Sequence, residues 1–177
     1  QATLGYNEYL FLTLQARNDW SSTLPQNHNS FFYPSANISF SFVDAFKLTG
    51  PFSSGKLRAA IGRTGKDAPV YSVYTTLANG GISLPFGDIN FPLGGVNAFE
   101  ISNTLGNKNL KPELSTEVEI GANVQFFHDR LGFDVAVYDK RTVNQIYPVP
   151  FPTSTGYGFK TLNFGEIQNR GIELLVT

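Results

Sequence analysis

Glu117, Glu119, Asp134 and Lys140 stand within one stretch of the chain. Facing carboxylates are the equipment of general acid–base chemistry, above all glycoside hydrolysis, where two carboxyl groups flank a cleft about 5–9.5 Å apart. A sequence displays no cleft, and these four side chains read better as a polar wall, which either lines the path of a solute or simply satisfies its charges with one another and with water. Other chemistry is weaker still. Gly62-Arg63-Thr64-Gly65-Lys66-Asp67 has a superficial likeness to a phosphate loop, but that pattern needs Gly at 60 and Ser or Thr at 67, where Ala60 and Asp67 stand. His28 and His128 lie apart and lack neighbouring ligand types, so no metal is expected. Nothing has the form of a nucleophile elbow. The chain has no cysteine, which excludes a disulfide scaffold, a zinc–thiolate site and a thiol nucleophile. No catalytic residue and no cofactor are assigned.

The element that positions the four charges is a hairpin over 117–141. Val118, Ile120, Ala122, Val124 and Phe126 alternate with polar or small residues, and Leu131, Phe133, Val135 and Val137 do the same. Period-two alternation is the signature of strands with two different environments. A two-residue turn at His128-Asp129 sets Phe126 opposite Leu131, Val124 opposite Phe133, Ala122 opposite Val135 and Ile120 opposite Val137. On the other face it sets Asn123 opposite Asp134, Glu119 opposite Tyr138 and Glu117 opposite Lys140. Every apolar residue meets an apolar partner, and a slip of one residue would scramble both faces.

Four further strands are expected. Residues 9–17 place Leu10, Leu12, Leu14 and Ala16 on one face. Residues 31–43 alternate Ile38, Phe40 and Phe42 with Asn37, Ser39 and Ser41. Residues 55–64 place Leu57, Ala59 and Ile61 together. A last strand begins near 159 or 165 and places Ile172, Leu174 and Val176 together. The segment 44–54 is a connection with room for a short helix, and 18–30 and 144–158 are loops. The least regular part is 65–111, rich in Gly and Pro, which holds Tyr71, Tyr74, Phe86 and Phe91. Aromatic rings on such a loop suit stacking on sugars or packing against a partner, and those four are the candidate contact residues.

The medium is the open question. Charged residues are 15% of the chain, against about 25% in soluble domains. The strands exceed the usual five or six residues and reach the nine to eleven that a tilted strand needs to cross a bilayer. Aromatics cluster at both ends of 31–43, as in the girdles of a membrane barrel. No apolar run is long enough for a membrane helix, and the net charge of -1 gives no basic excess for nucleic acid. On the residues alone, two classes stand: an antiparallel transmembrane β-barrel segment, or a soluble β-sandwich that binds carbohydrate through loop aromatics. The chain opens on Gln1 rather than Met, and the expectation is a processed protein or a piece of a longer one.

Three successive stretches, N-L-K-P-E-L-S-T-E-V-E-I-G (109–121), F-F-H-D-R-L-G-F-D-V-A-V-Y-D-K-R-T (126–142) and N-F-G-E-I-Q-N-R-G-I-E-L (163–174), resemble the C-terminal part of the barrel of TonB-dependent outer-membrane transporters, in particular the SusC/RagA group of Bacteroidota. K-L-R-A-A-I-G-R-T-G (56–65) and Y-L-F-L-T-L-Q-A-R-N-D-W-S-S (9–22) resemble the preceding strands. The resemblance implies a barrel of twenty-two strands, of which six are expected here, and an outer-membrane location with lipid on the apolar faces. It implies energy-driven uptake of oligosaccharides or peptides. It also implies an N-terminal plug and a TonB-contacting segment, both missing from this stretch, and a SusD-like surface lipoprotein as partner. In that setting 65–111 is an extracellular loop, and Glu117, Glu119, Asn123, Asp134, Tyr138 and Lys140 face the lumen.

Overall fold

The computed structural model describes residues 1–177. Its main body is one antiparallel sheet of seven strands: β1 (Ala2–Tyr6), β2 (Leu10–Trp20), β3 (Ser30–Ser41), β4 (Phe52–Lys66), β5 (Glu113–Phe126), β6 (Leu131–Val143) and β7 (Glu166–Val176). They lie side by side in chain order, so each strand pairs with its neighbour in the sequence. The sheet does not close on itself: β1 and β7 are its two edges.

The hairpin register agrees with the expectation pair by pair, from Phe126 opposite Leu131 to Glu117 opposite Lys140. The turn differs. Residues 127–130 connect the strands, and Phe127, His128 and Asp129 all adopt left-handed backbone, with φ of 55, 58 and 63°. Side-chain crowding makes that conformation cost about 1–2 kcal/mol per residue. Hydrogen bonds from outside the hairpin offset it. Phe127 N–H donates to Pro51 O at 2.8 Å, and Asp129 N–H donates to Ser53 Oγ at 3.0 Å. Ser53 is free to accept because β4 skips it: Gln125 pairs with Ser54 and Phe126 with Phe52. Loop length changed equally on both sides of the turn, so the register survived.

Further differences concern extent. The sheet has seven strands rather than six, because the five residues of β1 pair with β2. The strand expected over 31–43 stops at Ser41, where Phe42–Phe46 form one helical turn. Of the two starts expected for the last strand, near 159 or 165, the later one holds: β7 begins at Glu166, and Phe159–Asn163 belongs to a separate small sheet with Ile146–Pro150 and Thr104–Leu105. Segment 67–112 is not bare loop either. It carries two short ribbons, Leu77–Asn79 with Phe99–Ile101 and Gly81–Leu84 with Gly87–Asn90.

The two ends of the sheet are unlike. At one end, connections 7–9, 42–51 and 127–130 have at most ten residues and carry aromatic side chains. Tyr6, Tyr9, Phe40 and Phe46 form a chain of edge contacts, and Phe42, Phe52, Phe126 and Phe133 form a second chain, edge-on except for the tilted pair Phe52–Phe126, with ring centroids 5.1–6.5 Å apart. At the other end, connections 21–29, 67–112 and 144–165 pack on one another. The buried cluster of the molecule lies there, built from Leu24, Ala68, Val73, Leu110 and Ile146, with Phe31 against it.

The apolar face of the sheet is bare. Leu4, Leu12, Ile38, Ala59, Ile120, Val137 and Ile172 are successive cross-strand partners, an unbroken apolar row over all seven strands. Leu4 and Ile120 are 63% exposed and Ile172 is 74% exposed. A sandwich would bury this face under a second sheet, so the soluble-sandwich alternative loses its core.

Candidate functional site

Opposite the apolar rows, the same strands present a polar face. Alternation alone puts Glu117, Glu119, Asn123 and Gln125 there from β5, and Asp134, Tyr138, Lys140 and Thr142 from β6. From β4 it puts Lys56 and Arg58 there, and Arg58 is the hub. Its cross-strand partner is Gly121, which has no side chain. The guanidinium lies over that gap: a Cβ on Gly121 would stand 2.7 Å from Arg58 Nε. From there Arg58 reaches diagonally to both neighbours. Nη1 and Nη2 donate to the two oxygens of Asp134 at 3.1 and 2.9 Å, and Nε donates to Glu119 Oε1 at 3.1 Å. Asn123 Nδ2 donates to Asp134 Oδ2 at 3.0 Å. Such a fork-to-fork pair fixes geometry as well as charge.

Lys140 Nζ lies 3.3 Å from Glu117 Oε2, which is the pair expected from the register. Tyr138 covers Gly171 of β7, where a Cβ would lie 2.6 Å from the phenol carbon. The six residues expected on this face therefore share it; Glu117 and Lys140 form a neutral pair, whereas Arg58 is shared by Glu119 and Asp134, with Asn123 alongside, so that cluster keeps one net negative charge. Neither cluster resembles a hydrolytic pair: Glu119 and Asp134 are each held by the Arg58 guanidinium instead of facing each other across open space.

Arg58 escaped the reading of the sequence, although its parity within 55–64 placed it on the polar side. Its partners follow only once β4 is known to lie beside β5, with 67–112 between them in the chain.

A second set of residues links the long connections to the sheet. Asn163 Oδ1 accepts Lys111 N–H at 2.8 Å, and Asn163 Nδ2 donates to Lys111 O at 2.7 Å and to Asn144 O at 2.8 Å. Its amide thus pairs with Lys111 as another strand would. Glu113 Oε1 accepts Ile146 N–H at 2.9 Å, and Leu110 is fully buried. The motifs at 109–121 and 163–174 meet in this latch, so part of what makes them recognisable is structural.

The four loop aromatics are not gathered into a site. Tyr71 and Tyr74 share one turn, with Tyr74 N–H on Tyr71 O at 2.9 Å. Phe86, 87% exposed, caps the ribbon of Gly81–Leu84 and Gly87–Asn90, and Phe91 follows that ribbon. None of the four joins an aromatic pair. No group of His, Cys, Asp or Glu with the makings of a metal site occurs.

The family model "TonB dependent receptor-like, beta-barrel" matches residues 1–177. TonB-dependent receptor P3 of Formosa agariphila is 30% identical over 174 residues, which cover 96% of this chain and 16% of that protein. TonB-dependent receptor P26 of the same organism is 28% identical over 173 residues, 95% of this chain and 16% of that protein. Among solved structures, the RagAB peptide importer in its closed-closed state superposes with a TM-score of 0.81 at 23% identity, over 98% of this chain and 18% of that one. The siderophore receptor PirA from Pseudomonas aeruginosa superposes with a TM-score of 0.62 at 20% identity, over 97% of this chain and 29% of that one. The chain therefore spans about a sixth of the length of the curated relatives it matches. It belongs to the β-barrel family of TonB-dependent outer-membrane receptors, as a segment of the barrel wall.

Proposed function

We propose that this segment is a stretch of wall in an energy-driven importer, with hydrocarbon on its apolar face and the transport lumen on its polar face. The observation that carries the proposal is the exposed row Leu4–Leu12–Ile38–Ala59–Ile120–Val137–Ile172. Water disfavours so long an uncovered apolar row, at about 25 cal/mol per Å², whereas lipid accepts it.

The upper limit of the apolar band supports the same assignment. On the outward face, polar residues begin at Asp139 and Arg170 on β6 and β7, one row further along at Arg63 and Thr116 on β4 and β5, and further still at Asn18 on β2. The limit runs obliquely to the strands, as it must if strands tilted by about 35–45° cross a flat layer. Asp139 with Arg170 and Arg141 with Glu166 form ion pairs along it, where headgroups and water meet the barrel.

Outer-membrane barrels carry short turns on the periplasmic side and long loops outside. By that rule 67–112 and the packed connections around Leu110 face the cell exterior. There they are placed to meet a SusD-like surface lipoprotein, with TonB supplying energy through parts of the receptor outside this segment. The imported solute is an oligosaccharide or a peptide. Cells bearing the receptor should deplete a defined pool of such solutes from the medium, and loss of TonB should abolish the depletion. Depletion unchanged by removal of either receptor or TonB would contradict the proposal.

A further inference from the structure

The apolar face of the sheet is not smooth. Ala36 of β3 pairs with Ile61 of β4, and Ile38 pairs with Ala59, so the two alanines are diagonal neighbours. Their small side chains leave a groove of about 350 Å³, walled by Leu12, Ile38, Ile61, Val118 and Ile120. A second groove, of about 440 Å³, lies on the other side of Val118 and Ile120, against Val137 and Ile172.

The grooves differ in what stands above them, toward the long connections. Over the second lies a closed ion pair, Asp139 with Arg170 at 2.8 Å. Over the first stands Arg63, two residues beyond Ile61 on the same strand face and so about 7 Å further on. Arg63 is exposed and makes no ion pair. On β5 its neighbours are Thr116 directly opposite and Leu114 and Val118 on the diagonals, so no carboxylate faces it from that strand. Beyond Thr116 in the same row comes Arg141, which Glu166 already holds. Arg63, Arg141 and Arg170 thus meet only Asp139 and Glu166 along this limit, and the unmatched charge is that of Arg63.

We propose that the groove over Ala36 and Ala59 is a seat for one phosphate-bearing lipid, its acyl chain in the groove and its phosphate on Arg63. The inference rests on the proposed contact of the apolar face with hydrocarbon. A guanidinium offers phosphate two parallel N–H bonds. The occupant is a lipid rather than a neighbouring protein because the unmatched cation stands at the limit of the apolar band, where lipid phosphates lie, with an open apolar channel directly beneath it. The second groove has the channel without the free cation, which makes it a control within the same wall.

The test places the intact receptor in phosphatidylcholine vesicles with a trace of one of two probes. These are phosphatidic acid and phosphatidylcholine, both carrying the same diazirine-bearing acyl chain. After illumination, mass spectrometry maps the labelled residues. Phosphatidic acid should label Leu12, Ile38 and Ile61 about fivefold more than phosphatidylcholine does, the preference that one basic residue supplies near an anionic headgroup. Val137 and Ile172 should be labelled equally by both. Arg63→Gln should abolish the preference, and Ala59→Leu, which fills the groove, should lower labelling of Leu12 and Ile61 by both probes. Equal labelling of the first groove in the parent, a preference that survives Arg63→Gln, or labelling undiminished by Ala59→Leu would overturn the seat and leave the lipid-facing reading intact. A first groove shielded from both probes in receptors that cross-link to one another would assign it to a second copy and overturn the seat. Labelling confined to the polar face would overturn the seat and the lipid-facing reading together.

Discussion

The two faces of the seven-stranded sheet are built from alternate residues of the same strands, yet they are organised in opposite ways. On one face, apolar side chains repeat along rows, Leu4 through Ile172, and touch one another without being covered. Nothing there depends on a particular partner; any apolar neighbour of similar size serves. On the other face, Arg58, Glu119, Asn123 and Asp134 depend on one another's positions, and Gly121 must be empty for the guanidinium to lie down. One face answers to its medium, the other to its pairings. A face that answers to lipid tolerates apolar exchange and rejects charge, whereas a face made of pairings tolerates charge and rejects crowding.

Ile120→Arg should therefore be the most damaging single change on the hairpin, costing about 2–4 kcal/mol at the middle of a bilayer. Urea unfolding of the lipid-reconstituted receptor measures it, and a cost near zero would break the contrast between the faces. Gly121→Val comes next, at about 1–3 kcal/mol, because a branched side chain drives into the Arg58 guanidinium. Gly62→Ala, on the same strand face but over open space, should stay within about 0.5 kcal/mol of the parent, which separates crowding from loss of glycine flexibility. Glu119→Gln should cost less than about 1 kcal/mol, since Arg58 keeps its two bonds to Asp134 and the site is partly exposed. Asn123→Arg should fall within about 0.5 kcal/mol, because a guanidinium there still donates to Asp134. If Asn123→Arg proved as costly as Ile120→Arg, the assignment of faces would be wrong.

How far the sequence revealed this follows from the same contrast. Parity along a strand is local, so the composition of both faces and the pairing of Phe126 with Leu131 through Glu117 with Lys140 could be read directly. The backbone of the turn could not: nothing in Phe127-His128-Asp129 announces three left-handed residues, whose support comes from Pro51 and Ser53 far back in the chain. The Arg58 cluster was hidden for a related reason, since β4 and β5 meet only after 67–112 has looped out. Ile146–Pro150 reads as loop because Pro148 and Pro150 lack an N–H, yet an edge strand tolerates them. Strand β1 was missed because five residues carry too short a pattern to stand out. The candidate contact residues Tyr71, Tyr74, Phe86 and Phe91 were chosen by type alone, and type does not bring side chains together.

Cysteine is absent from this sequence, which opens a direct measurement of the central claim. Single cysteines placed in turn at each position from 118 to 125, labelled with a small fluorophore, are reconstituted in bilayers whose acyl chains carry bromine quenchers. Hydrocarbon contact on one face requires strong quenching at Val118, Ile120, Ala122 and Val124 and weak quenching at Glu119, Gly121, Asn123 and Gln125. Quenching without a two-residue period, or with the period reversed, would contradict the account.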